Sequence, residues 1–206
     1  IINSYAIRSV IQGLTGPKRH GHDSAVLTDF QIGLDLANNK ISLVEAGIAK
    51  LKAMPDDDGR ADRRQAQLLL KQYRYAPALE LLTRLLNNSN GSHFLIRTLR
   101  AKAAAWSGDL DIAQQDINVI KRMPGRESVA LRLQVELFAA QKLIPEAEEL
   151  FSKIQDKTPQ DSMLEAVICD QKAGDPNIGF SESTRLRQHA EELKNRFSRR
   201  NNKYEE

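Results

Sequence analysis

Three short stretches decide the fold: Gln72-Tyr73-Arg74-Tyr75-Ala76-Pro77-Ala78, Ser107-Gly108-Asp109-Leu110-Asp111-Ile112-Ala113 and Gln141-Lys142-Leu143-Ile144-Pro145-Glu146-Ala147. Each is a polar turn that runs into a helical pattern, and the alanines closing them recur at intervals of about 34 residues. An internal period of about 34 residues is the signature of stacked helix–turn–helix units, none of which can bury its apolar face alone.

The same period organises the flanks. Twelve positions before the reference alanines stand Ala66, Ala101 and Val135, and one further unit reaches Cys169. Small residues at these places let the first helix of a unit cross its neighbours closely. Cys169 therefore reads as a packing residue, not a nucleophile. Four positions after each alanine come Leu82, Ile117 and Phe151, the larger side chains that fill the space between units. Gly108 suits a turn that must pass through a left-handed backbone conformation.

Capping and breaker residues predict helices over 2–14, 23–38, 42–54, 60–72, 76–87, 93–107, 110–122, 127–141, 145–156, 161–173 and 182–199. A basic loop from Thr15 to His22 follows the first of them. No stretch alternates like a strand, so the chain is expected to be all-α, a solenoid of stacked antiparallel helix pairs closed by a capping helix. Its expected layout is an N-terminal helix and loop (1–24), repeats at 25–58, 59–93, 94–127 and 128–161, and a partial repeat, cap and polar tail (162–206). In the first repeat the small residue is expected at Ala46 or Gly47, with the register slipping by a residue or two. The unit starting near Ser162 is expected to lose its second helix to Gly174-Asp175-Pro176-Asn177-Ile178-Gly179. Leu186, Ala190, Leu193 and Phe197 give the closing helix one narrow apolar stripe on a charged rod, as a solenoid cap requires.

Composition bounds the function. The 206 residues are 41% apolar but only 5% aromatic, so Leu and Ala carry the burial. A net charge of +3 with 28% charged residues of mixed sign describes a solvated helical surface, and no basic stripe interleaved with aromatics points to nucleic acid. One cysteine excludes an internal disulfide and a multi-cysteine metal site. No apolar run reaches the roughly 20 residues that span a bilayer. The chain opens at Ile1 in mid-pattern, which suggests an excised domain or a processed product.

Catalytic constellations are missing. His20 and His22 lie in the basic loop with Asp23 as the nearby carboxylate, a pattern better read as surface than as a metal site. His-Glu-x-x-His, Cys-x-x-Cys, P-loop and Gly-x-Ser-x-Gly spacings are absent. Asp56-Asp57-Asp58-Gly59 lacks the further ligands of a calcium loop and reads as a solvated turn. The expectation is a chain without catalytic residues, cofactor or metal.

The units between about 59 and 161, carried by the alanine register above, resemble tetratricopeptide (TPR) repeats. That resemblance implies a concave groove lined by the first helix of each unit, which takes extended protein segments. Projected onto this register, the groove presents Arg60, Arg63, Gln67 and Lys71 from one unit, Thr98, Lys102 and Trp106 from the next, and Arg132 and Glu136 from the third. The bias toward basic and amide groups favours acidic or main-chain-rich peptides. A Lys/Asn clamp for the C-terminal carboxylate of chaperones is not matched, because Arg63/Gln67, Thr98/Lys102 and Arg132/Glu136 stand at its positions.

A wider resemblance rests on the opening Tyr5-Ala6-Ile7-Arg8, the degenerate repeat at Asn38-Asn39-Lys40, the three better repeats, and the closing Arg185-Leu186-Arg187-Gln188 and Lys194-Asn195-Arg196-Phe197. Together these resemble the C-terminal TPR tail of bacterial periplasmic zinc metallopeptidases that assist outer-membrane β-barrel assembly. The implied partners are proteins or extended peptides, including the outer-membrane assembly machinery or its substrates. The implied compartment is the periplasm, with the cytoplasm a weaker alternative. A free-standing adaptor in envelope assembly or secretion fits the same residues.

Overall fold

A computed structural model describes residues 22–55, 58–88 and 93–202, and places ten α-helices there with no strand among the described residues. They are α1 (His22–Ala37), α2 (Ile41–Lys52), α3 (Arg60–Lys71), α4 (Tyr75–Asn87), α5 (Phe94–Ser107), α6 (Leu110–Lys121), α7 (Glu127–Ala140), α8 (Ile144–Ser152), α9 (Pro159–Ala173) and α10 (Phe180–Asn202). The helix expected over 2–14, the His20–His22 loop and the Asp56-Asp57 pair lie outside the described residues or their side chains.

Consecutive helices pack as pairs, and each first helix also touches the first helix of the next pair, from α1 through α3, α5 and α7 to α9. Because the connections are too short to let the chain return, successive helices run in opposite directions and all first-to-second turns lie on one edge. The result is an all-helical solenoid.

The turns repeat to the hydrogen bond. Asn39, Tyr73, Gly108 and Lys142 all have positive φ, at 58°, 58°, 88° and 61°. At each turn the next residue's N–H reaches back to a carbonyl in the last turn of the preceding helix: Lys40 to Asp35, Arg74 to Leu69, Asp109 to Ala104 and Leu143 to Phe138, each at 2.9 Å. This is the Schellman closure of a helix C-terminus. Gly108 adopts the left-handed state freely; Tyr73 and Lys142 do so against Cβ sterics.

Burial follows the register. Ala78, Ala113 and Ala147 are fully buried, as are Ala66, Ala101 and Val135, and Leu82, Ile117 and Phe151 fill the inter-unit space. Each of the four larger interior clusters combines one pair with the helix that follows. Ala61 and Leu68 of α3 join Ile32, Val44 and Ile48 of the first pair; Ala130, Leu133 and Leu137 of α7 join Ala101, Ala113 and Ile117 of the third. Stability in such an array is a sum of neighbour interfaces, not the property of one core.

Three expectations need correction. The first unit keeps the register without a slip: the left-handed Asn39 precedes Tyr73 by one period, and buried Val44 stands where the later units have alanine. Ala46 is exposed; Gly47 is the close-packed residue, since a Cβ there would come within 2.6 Å of Ile32. Helix α8 ends at Ser152, not near 156. The fifth unit does have a second helix. The Gly174–Gly179 stretch lengthens the connection, and α10 then folds back on α9, with the Ser183 hydroxyl donating to the Ala173 carbonyl at 2.8 Å. Ala190 and Leu193 are the stripe residues that bury, against Ala166 and Cys169.

Candidate functional site

Lining up α1, α3, α5, α7 and α9 sets the expected groove residues side by side, and most of them arrive already engaged. Arg63 and Arg64 of α3 both grip Asp29 of α1. Arg63 Nη2 donates to Asp29 Oδ2 at 2.9 Å; Arg64 donates from Nε to Oδ1 at 2.8 Å and from Nη2 to Oδ2 at 3.1 Å. Arg64 Nη1 also donates to Gln67 Oε1 at 2.9 Å. Gly33 makes this possible, because a Cβ there would lie 2.9 Å from the Arg64 guanidinium. Lys71 Nζ donates to the Leu36 carbonyl in the last turn of α1, where a cation also suits the helix dipole. Burial holds the Lys71 pKa below its ordinary value.

Farther along, Lys102 and Trp106 of α5 converge on Glu136 of α7. Lys102 Nζ lies 2.9 Å and Trp106 Nε1 2.8 Å from Glu136 Oε1. Trp106 stacks on Tyr75 with ring centroids 5.9 Å apart, and Tyr73 meets Tyr75 edge-on at 6.3 Å. Burial, with Glu136 and Tyr73 nearby, pushes the Tyr75 phenol pKa up. Arg132 of α7 reaches Asp161 at the start of α9, from Nε at 2.6 Å and Nη2 at 2.9 Å, and Nη2 also donates to the Asp156 carbonyl at 2.8 Å. Thr98 bonds its own helix through the Phe94 carbonyl at 2.8 Å, and Arg60 reaches Asp58 at 3.3 Å.

The expected basic face is thus largely a ladder of ion pairs between successive first helices. Its cations are partly compensated before any ligand arrives, which reduces its pull on acidic peptides. The ladder is open between α3 and α5; the aromatic stack near it joins Tyr75 of α4 to Trp106 of α5. Lys102, with 45% of its side chain exposed, is the ion-paired groove cation that shows most surface to solvent.

Sequence reading missed Asp29, Arg64 and Asp161, the partners that neutralise the ladder. Two of the pairs carry a usable signal: Asp29–Arg63 and Lys102–Glu136 each join opposite charges set one repeat period apart. Missed too was a charged trio centred on a buried aspartate within the third pair. Asp116 of α6 is fully buried and accepts from Arg100 Nε at 2.6 Å, Arg100 Nη2 at 2.9 Å and Arg97 Nη1 at 2.7 Å.

Among the described residues no cluster of His, Cys, Asp and Glu could hold a metal ion, and no helix is long and apolar enough to cross a membrane. Burial, with Glu165 and Asp170 nearby, pushes the Cys169 thiol up, away from nucleophilic reactivity. Two shallow depressions occur among the described residues, one at the Ser107–Asp111 turn and one between Lys52, Asp62, Pro77 and Arg84; neither contains a residue of the expected groove. No family model, no curated protein and no solved structure matches the chain.

Proposed function

We propose that this chain is a non-catalytic protein-interaction module of the TPR type, which holds an extended polypeptide segment along the face made by α1, α3, α5, α7 and α9. The observation that carries this reading is the set of polar links between first helices along that face, interrupted at the α3–α5 step. Ion pairs and hydrogen bonds tie α1 to α3, α5 to α7 and α7 to α9, so the polar groups are fixed before a ligand binds and little ordering entropy is lost. Arg60, Gln67, Lys102 and Trp106 offer donors and an aromatic surface to a main chain laid across them. The resemblance to the TPR tail of periplasmic metallopeptidases supplies a context: presenting outer-membrane proteins, or docking to their assembly machinery. A free-standing envelope adaptor remains the alternative within the same binding chemistry.

The test uses Lys102→Glu, because Lys102, though paired with Glu136, is the ion-paired groove cation most exposed to a ligand, whereas Arg63 lies deeper against Asp29. In cells, site-specific cross-linking from Gln67 and Lys102 should capture protein partners. Lys102→Glu should weaken their recovery about tenfold while leaving the melting temperature within a few degrees. Undiminished capture would reject the face as the binding surface.

A further inference from the structure

The two ends of the solenoid are finished differently. At the far end α10 buries Ala190 and Leu193 against α9 and leaves Arg185, Gln188, Glu192 and Arg196 exposed, the wet outer face that a terminal unit requires. At the near end α1 carries Val26, Leu27, Phe30 and Leu34 as an apolar stripe on the side away from Ala25, Ile32 and Leu36. Val26 is 47% exposed, the other three are half-buried, and none of the four joins an interior cluster. The repeat shows what such a stripe does elsewhere. Leu27 and Leu34 stand at the positions of Ala61 and Leu68 in α3, Ile96 and Ala103 in α5, and Ala130 and Leu137 in α7. All of these pack on the pair that precedes them. In α1 the same positions have no described pair before them.

We infer that this face of α1 is the docking site of the chain's own residues 7–14, laid on it as each second helix lies on the first helix that follows. Phase and length select this occupant. Residues 1–21 precede α1 and lie outside the described residues. One repeat back from Ile41, Val44 and Ile48, the α2 residues that pack with Ala61 and Leu68, the sequence has Ile7, Val10 and Leu14. Gly16-Pro17 then breaks the helical pattern, and residues 15–21 match in length the 53–59 connection between α2 and α3. An ordinary solenoid step therefore brings the segment back antiparallel across Leu34, Phe30 and Leu27. A second copy fits less well, since the side chains of one such stripe fall short of the roughly 800 Å² per partner that a stable dimer needs. Ser24 and Gln31, exposed on α1 beside the stripe, are neutral, so no charge there calls for an acidic or basic partner. This contact does not depend on the peptide-binding reading of the first-helix face.

Hydrogen exchange on the intact chain tests the inference. A helix as short as 7–14 gains no protection in isolation, so slow exchange at the amides of residues 10–14 reports docking. The double variant Val10→Glu, Leu14→Glu should exchange at least tenfold faster there, and faster in α1 as well. Arg8→Glu should exchange as the parent does, because position 8 repeats the exposed Ser42, Ala76 and Asp111. Phe30→Glu, outside every core cluster, should free residues 10–14 from the other side of the contact. A photoreactive benzoylphenylalanine in place of Phe30 should cross-link to residues 7–14 within a single chain. Fast exchange at residues 10–14 in the intact chain would overturn the inference, as would equal exchange in the double variant and Arg8→Glu. Cross-linking only between two copies would likewise overturn it, in favour of self-association.

Discussion

The third and fourth helix pairs solve the same packing problem with opposite materials. In the third, α5 contributes Ala101, Ala103, Ala104 and Ala105, and its charges lie inside, with Asp116 buried between Arg97 and Arg100 of the same pair. The fourth pair fills its interior with Leu133, Val135, Leu137 and Phe151 and sends its ion pair forward, where Arg132 reaches the buried Asp161 of the fifth. One electrostatic link holds a pair together; the other holds two pairs in register. In a solenoid those are separable quantities, because within-unit and between-unit terms add.

Removing the inner link should have the largest effect. Asp116→Ala leaves Arg100, itself 7% exposed, as an uncompensated buried charge, which costs about 3–5 kcal/mol. Urea unfolding should show the midpoint drop with the third pair's amides losing protection first. A change under about 1 kcal/mol would mean that the trio is solvated in solution. Replacing the trio with apolar residues is the sharper version. Leu81 and Leu150 stand where Asp116 does in adjacent units, so leucine fits the slot, and the buried charges are then not required for stability.

The outer link responds to pH as the inner trio's deletion cannot. Burial alone would raise the Asp161 pKa, but bonds from Arg132 and from the Thr158 N–H and hydroxyl outweigh it and hold it below the ordinary value. A lowered folded pKa means that the unfolded chain takes up the proton first. The link is therefore at full strength above about pH 4 and is lost as the pH falls through the lowered value. Asp161→Asn should cost about 1–2 kcal/mol at neutral pH, weaken the start of α9, and flatten the acid limb of the stability curve. An unchanged acid limb would place the acid sensitivity elsewhere.

The contrast also marks what a single sequence could disclose. The pairs were legible because turn chemistry and small residues recur together: Gly108 announces the turn, and Ala78, Ala113 and Ala147 fix the phase. Val44 hid the first unit by substituting a larger residue at that phase, and the small Gly47 drew the phase to the wrong place. The groove positions were legible as a face; their compensation was not. Arg64 lies just past one repeat period from Asp29, and Asp161 falls short of one from Arg132, so neither pair shows at the period itself. Asp161 comes within reach of Arg132 only because it sits at the start of α9. Asp116 did leave a trace, as the one carboxylate in a slot that is leucine on both sides.

Smallest, and cleanest, is the effect expected at the turns. Lys142 and Gly108 occupy the same place in the third and fourth pairs, both left-handed and both exposed, and among the described residues Lys142 has no side-chain partner that would compensate its strain. The left-handed state costs a non-glycine residue about 1–2 kcal/mol, and glycine's extra freedom in the unfolded chain returns part of that. Lys142→Gly should therefore stabilise by about 0.5–1 kcal/mol, and Gly108→Ala should destabilise by about the same amount. Tyr73→Gly should gain less than Lys142→Gly, because it also gives up the edge contact with Tyr75. Thermal melts of the three variants would rank them. If Tyr73→Gly instead gained the most, the aromatic contact would be worth nothing to the free protein, and the strain at Tyr73 would have to be explained by what that side chain binds.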